Sequence, residues 1–442
     1  MKKKLYIVLL ISTGLLFVLI LAFSKKDPET VPGFKERQGR IGLSAEWLNT
    51  KKAIQGLLAT LKQDPENTKA MLELSQAYIQ EARVTGDHAY YDKAALELLD
   101  KLLKKEPKNF EGLCLKATVL LSQHHFAEGL EVAKTAQPIN PDNAFIYGIM
   151  CDAYTELGNY KEAVKMADKM VSMRPDIRSY SRVSYLREIH GDMVGAIAAM
   201  KMAVSAGYPG LEQTEWARMI LAHLYEMTGK PDSAEAQYNI ALQERPDYAF
   251  AMAGLGKIAK SKGNYPAAIQ QFEKASSLIT EYSFKDELTD LYKLTNQPEK
   301  AKKSGNEVIE MLGANAGNEE DNAHGHYADK ELAWAYLKTG NTSKAAEHAL
   351  LEYNRRPNNI DICETMAWVY YKQGKTVEAN KYIDKALVTH SVNPLLLCRA
   401  GIIKIKAGDT AKGNELIQQG LSINPFPDQQ LKAEAQSLVK NS

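Results

Sequence analysis

Cysteine is scarce in this chain of 442 residues: Cys114, Cys151, Cys363 and Cys398 are too few and too scattered for a disulfide framework. Charge of one sign is lacking as well, with 55 basic against 54 acidic side chains and a formal net charge of +1. Nucleic-acid binding normally uses a basic surplus or stripe, so no nucleic acid is expected as a partner. Long apolar runs are confined to the amino terminus. Assembled chemistry is also missing. Gly254-Leu255-Gly256-Lys257-Ile258-Ala259 spells a dinucleotide fingerprint, but inside a helical pattern and not after a strand. Gly374-Lys375-Thr376 ends like a phosphate loop, yet Val369 stands where the leading glycine belongs. His324, His326 and Asp329 are metal-ligand types, but they fall in a polar loop entering a helix, and His124-His125 sits at an ordinary turn. No nucleophile, base and acid fall into one recognisable site. The chain is expected to be non-catalytic, with no cofactor and no metal.

At the amino terminus, Lys2-Lys3-Lys4 precede an uncharged apolar run from Leu5 to Phe23 that Lys25-Lys26 close. About 19 residues suffice to cross a hydrocarbon layer of ~30 Å. The run is longer than the roughly 7–15 residues of a signal-peptide core, which favours a retained anchor. Ala22-Phe23-Ser24 also reads as a cleavage site, so secretion after cleavage is the alternative. No cysteine ends the run, which excludes a lipid anchor. Slightly more positive charge precedes the run than follows it, placing the bulk of the chain outside the cytoplasm.

The remainder is rich in Ala, Leu, Lys and Glu, with turn signals between periodic segments, and is expected to be all-α. The stretch from Asn143 to Pro175 shows the pattern best. Counting from Ala144, Tyr147, Met150, Cys151 and Tyr154 form one helical stripe at positions four, seven, eight and eleven. Gly158 at fifteen ends that helix with a positive φ. Ala163, Ala167 and Met170 continue on a second helix, and Pro175 closes the unit. Small residues at eight and twenty let the two helices approach, and bulky ones beside them fill the space. Such a pair cannot bury its apolar face alone and must stack on copies of itself.

These residues resemble the tetratricopeptide repeat, a helix–turn–helix unit of about 34 residues. The pattern recurs in register from roughly Phe34 to Pro425, in about ten units. The expected organisation is an anchor over 1–26, a tether over 27–43, a first stack of repeats over 44–312, an interrupting loop over 313–325, a second stack over 326–426 and a capping helix over 427–442. The resemblance implies a right-handed α–α superhelix whose first helices line a concave groove.

In that family, positions two, five, nine and twelve or thirteen of each first helix face the groove. Here they include Phe145, Asp152, Tyr185, Trp216, Phe250, Lys257, Tyr327, Lys330, Trp334, Glu364, Trp368 and Tyr371. Large aromatics beside charges serve as binding anchors; the same aromatics also suit packing between repeats. The expected function is a membrane-tethered scaffold holding a protein or extended peptide in its groove. Aromatics stack on sugars too, so a glycan- or solute-binding envelope protein is the alternative.

Overall fold

The computed structural model describes residues 31–37, 39–315, 325–425 and 428–440. The proposed anchor Leu5–Phe23 and most of the interrupting loop lie outside them. Among the described residues there are 22 α-helices and no strand, and no helix is long and apolar enough to cross a membrane.

A 3₁₀ turn (Gly39–Leu43) and a single helix α1 (Ala45–Gln63) lead into the array. Helix pairs follow: α2 (Thr68–Thr85) with α3 (His88–Lys105), α4 (Phe110–Ser122) with α5 (Phe126–Ala136), α6 (Ala144–Glu156) with α7 (Tyr160–Met173), α8 (Ile177–Ile189) with α9 (Met193–Ser205) and α10 (Glu212–Met227) with α11 (Pro231–Glu244). The array continues with α12 (Ala249–Ser261) and α13 (Tyr265–Leu278), α14 (Tyr282–Leu294) and α15 (Pro298–Asn315), α16 (Asp329–Lys338) and α17 (Thr342–Arg355), α18 (Ile360–Lys372) and α19 (Thr376–Ala386), and α20 (Pro394–Lys406) and α21 (Thr410–Ile423). Helix α22 (Gln429–Lys440) ends it, burying Leu431 and Ala435 against α20.

Local chemistry explains the regularity. Asn67, Asn109, Asn143, Asn359 and Asn393 are N-caps of first helices, and each side chain accepts a backbone N–H of the first turn. Each such cap is worth about 0.5–2 kcal/mol. Ala163, Ala196, Ala234, Ala268, Ala345 and Ala379, the small residues of six second helices, are fully buried where the paired helices cross. Gly254, in the fingerprint look-alike, lies within α12 against the ring of Tyr238, too close for a Cβ. The four cysteines are buried and free.

Curvature follows from which helices touch. Successive first helices pack on each other along almost the whole array, whereas successive second helices make no comparable contact. The first helices therefore form the inner wall. Helix α15 extends through Asn315, and its Val308 and Leu312 share a core with Ala328, Leu332 and Ala335, so α15 stacks on α16.

Candidate functional site: an enclosed bore

The superhelix closes on itself. Contacts recur between residues 198 to 203 positions apart, six repeats along the chain. At each step the turn inside one helix pair meets the loop entering the sixth pair beyond it. Glu46 ahead of the first pair binds Arg245 at 2.9 Å. The α2–α3 turn touches Thr280. The α4–α5 turn meets the loop ahead of α16: the Tyr327 N–H donates to the Gln123 carbonyl at 3.0 Å, and His125 Nε2 lies 2.6 Å from the Gly325 carbonyl oxygen. At the α6–α7 turn, Asn359 donates to the Glu156 carbonyl at 2.9 Å, the Ile360 N–H donates to the Tyr160 hydroxyl at 2.9 Å, and Arg356 pairs with Glu156. The α8–α9 turn abuts His390, and Asn424 donates to the Glu226 carbonyl at 3.0 Å beside the α10–α11 turn. The Gln123 and Glu156 carbonyls lie at the ends of first helices, where backbone acceptors have no partner inside their own helix. The next superhelical turn supplies their donors, and adds a second donor to the Glu226 carbonyl, which also accepts the Gly229 N–H at 3.0 Å.

This seam converts the concave face into a bore, and the expected groove residues divide within it. Tyr185 and Trp216 are each 39% exposed. Burial nevertheless raises the Tyr185 phenol well above its ordinary value, as expected of a side chain that meets water at one face and is surrounded by protein. Tyr185 and Asp152 border a cavity of about 200 Å³ that Glu156 and Arg182 also line. Arg182 grips Asp152 through two nitrogens, at 2.8 and 2.5 Å. Burial alone would lower the Arg182 pKa; Asp152 outweighs it and the net shift is upward. Trp216 meets Phe250 edge-on at 5.1 Å, and Phe250 meets Phe284 at 5.6 Å, forming an aromatic ladder across three repeats. Phe145 lies under the Arg178 guanidinium.

A second group gathers around Arg399, which stacks over Trp334 and Trp368 and binds Glu364 at 2.6 Å. Trp334 donates through its indole N–H to Thr365. Trp368 is only 7% exposed and stacks on Tyr371, whose hydroxyl donates to Glu434 of the capping helix. Here the aromatics mainly hold neighbouring repeats together. Tyr327 departs from the expected position: it precedes α16 and stacks on His125 across the seam at 3.9 Å. His324 lies outside the described residues, and Asp329 is engaged by His348 and Arg355. No three His, Cys, Asp or Glu side chains among the described residues are placed to hold a metal ion.

Charge in the bore is largely matched. Lys338 binds both Asp286 and Asp290 at 2.7 Å, and Lys260 binds Glu287 at 2.8 Å. Burial pushes the Glu287 carboxyl up, but Lys260, Lys257 and Lys338 outweigh it and bring the group to about 2. Lys257 is thus an electrostatic neighbour of this pair, exposed to solvent. Lys330 lies 3.6 Å from Glu331.

Arg182, Arg356, Asn359, Arg399 and Asn424 were not among the expected site residues. Asn359 reads as a helix cap, and the others read as surface polar residues, unless the superhelical period is known.

A tetratricopeptide-repeat family model matches residues 221–277, from within α10 to α13. That match and the run of in-register helix pairs support the tetratricopeptide-repeat family. The chain is 23% identical over 220 residues to the human mitochondrial import receptor subunit TOM70, a match over 49% of this chain and 33% of the receptor. It is 28% identical over 165 residues to the TPR repeat-containing protein PA4667 of Pseudomonas aeruginosa, covering 36% of this chain and 26% of that protein. The matches thus span about a third or less of these curated relatives. Among solved structures, the thermophilic TPR protein TTC0263 of Thermus thermophilus aligns over 44% of this chain and 99% of its own, at 23% identity and a TM-score of 0.39.

Proposed function

We propose that this chain is a non-catalytic scaffold that holds an extended polypeptide segment in its bore. Leu5–Phe23 tethers it to a membrane, with the repeats on the extracytoplasmic side. The observation that carries this reading is the closed seam around solvent-reachable bore side chains, Tyr185 and Trp216 among them. A bore fenced by a seam admits a chain threaded as a strand far more readily than a folded domain. Trp216 and the half-buried Phe250 supply stacking surface, with Phe284 buried behind them, and the matched ion pairs supply polar groups that a peptide backbone can exchange with.

The test is site-specific photo-crosslinking in intact cells, with the probe at Tyr185 in the bore or at Val194, exposed on the second helix α9. Capture of a discrete polypeptide from position 185 and not from 194 is the expected result. Equal capture from both positions, or none from 185, would overturn the reading. Loss of capture on adding soluble oligosaccharides would favour a glycan ligand. The tether is tested separately: deleting residues 1–26 should move the protein from the membrane to the soluble fraction, and unchanged membrane association would reject the anchor.

A further inference from the structure

Four of the nine histidines meet at a single step of the seam. His124 and His125 form the α4–α5 turn, His326 lies in the loop ahead of α16, and His88 opens α3. The His124 and His326 rings are 4.3 Å apart. His124 Nδ1 lies 2.8 Å from the Tyr327 carbonyl oxygen, so the neutral ring serves as a donor across the seam. His88 lies 3.1 Å from Asp92 and 3.2 Å from the hydroxyl of Ser122, the residue before the turn. The α6–α7 step uses an Arg–Glu pair instead, and the α10–α11 step an asparagine amide.

We propose that the α4–α5 step is an acid-opened latch: protons taken up by His124 and His326 part this turn from the loop ahead of α16 and open the bore from the side.

The charges facing the latch make its direction plain. His124 faces His326 from the entering loop, Lys330 and Glu331 from α16, and Arg356 from the end of α17. His326 faces Glu331, His88, Asp92 and His125. Burial first, and then like charge, hold His124 down at about 3 and His326 below its ordinary value; Glu331 opposes this without prevailing. Burial also acts to lower His88, but Asp92 outweighs it and that ring is raised. The closed step is therefore fully stable above the ordinary imidazole value of about 6.5 and weakens as pH falls below it. Glu331 Oε2 is buried without a hydrogen-bond partner, ready to receive a cation from an opened latch.

Hydrogen exchange on the full chain reads the latch through the Tyr327 amide, with the Ile360 amide at the next step as reference. After correction for intrinsic rates, Tyr327 protection should fall by at least about tenfold between about pH 7.5 and about pH 5, and more than that of Ile360. His124→Gly retains the turn, because His124 has φ +64° and glycine occupies this place in the neighbouring turns. Combined with His326→Asn, it should abolish the excess loss; His326→Asn alone, which leaves the turn untouched, should reduce it. Equal protection of wild-type Tyr327 at both pH values would overturn the latch. So would an excess loss that persists in both variants, since groups other than His124 and His326 would then be its cause.

Discussion

The α6–α7 turn and the α18–α19 turn are built alike and meet different surroundings. Each ends a first helix on a left-handed glycine, Gly158 with φ +75° and Gly374 with φ +76°. A Cβ on Gly158 would collide with the backbone of Asn358, whereas one on Gly374 would find nothing within 4 Å. The first turn lies in the seam and the second on a free rim, with no superhelical turn above it among the described residues. A solenoid is ordinarily one-dimensional, each repeat touching only its neighbours. Closing after six repeats adds a second set of neighbours for part of the array, so equal local sequences acquire unequal importance.

The largest contrast is expected for charge. Arg356 is 3% exposed at its side chain and bridges Glu156 to Glu352, itself 1% exposed. Arg356→Ala breaks the buried bridge, leaving Glu352 only Arg355, at 2.8 Å, and should cost about 3 kcal/mol in chemical denaturation, the low end for a broken buried pair. Lys375→Ala on the free rim should stay within about 0.5 kcal/mol. Near-equal losses would erase the distinction between seam and rim.

The glycines come next. Gly374→Ala should cost about 1–2 kcal/mol, the left-handed penalty of any L residue. Gly158→Ala adds the collision and should cost roughly 3 kcal/mol or more. Equal melting temperatures for the two variants would place Gly158 outside a seam.

Enclosure can be sharpened through pH. Glu287 in the bore titrates at about 2, far below its usual value of about 4.5. A depressed carboxylate contributes stability above about pH 4.5 and loses it as pH falls toward 2. Glu287→Gln should therefore remove roughly 1–3 kcal/mol at neutral pH and flatten the acid limb of the stability curve. Glu347, also lowered but fully open to solvent beside Lys344, should give no measurable change on Glu347→Gln.

The smallest contrast compares two caps. Asn109 caps α4 on the lower rim, while Asn359 caps α18 and also reaches Glu156 across the seam. Asn109→Ala should cost about 1 kcal/mol, and Asn359→Ala about 1 kcal/mol more, for the additional bond.

The helix pairs were legible because their determinants are local. The stripe of Tyr147, Met150, Cys151 and Tyr154, the small Ala163 and the turn at Gly158 each act within one repeat. The weak-looking unit from Tyr282 to Leu312 still forms α14 and α15, with Asn296 at φ +54° in place of the turn glycine. The seam was not legible. Its period accumulates from small rotations at every repeat interface, and no residue carries it alone. Arg356 and Glu156 therefore read as ordinary surface charges. The same blindness affected the aromatics: Tyr185 and Trp216 remain open to the bore, while Trp368 is consumed by Tyr371, Lys372 and Arg399. Tyr327 was displaced because α16 begins at Asp329, which leaves it in the entering loop as a seam contact.

Closure is tested most directly by the distance between spin labels at Val194 and Val388. Both are exposed, and both lie near the contact of Gly191 with His390. The account predicts one narrow distribution at short range, within the span of two neighbouring repeats, in dilute solution at neutral pH. A long or broad distribution, as an open solenoid would give, would contradict the seam and with it the enclosed bore.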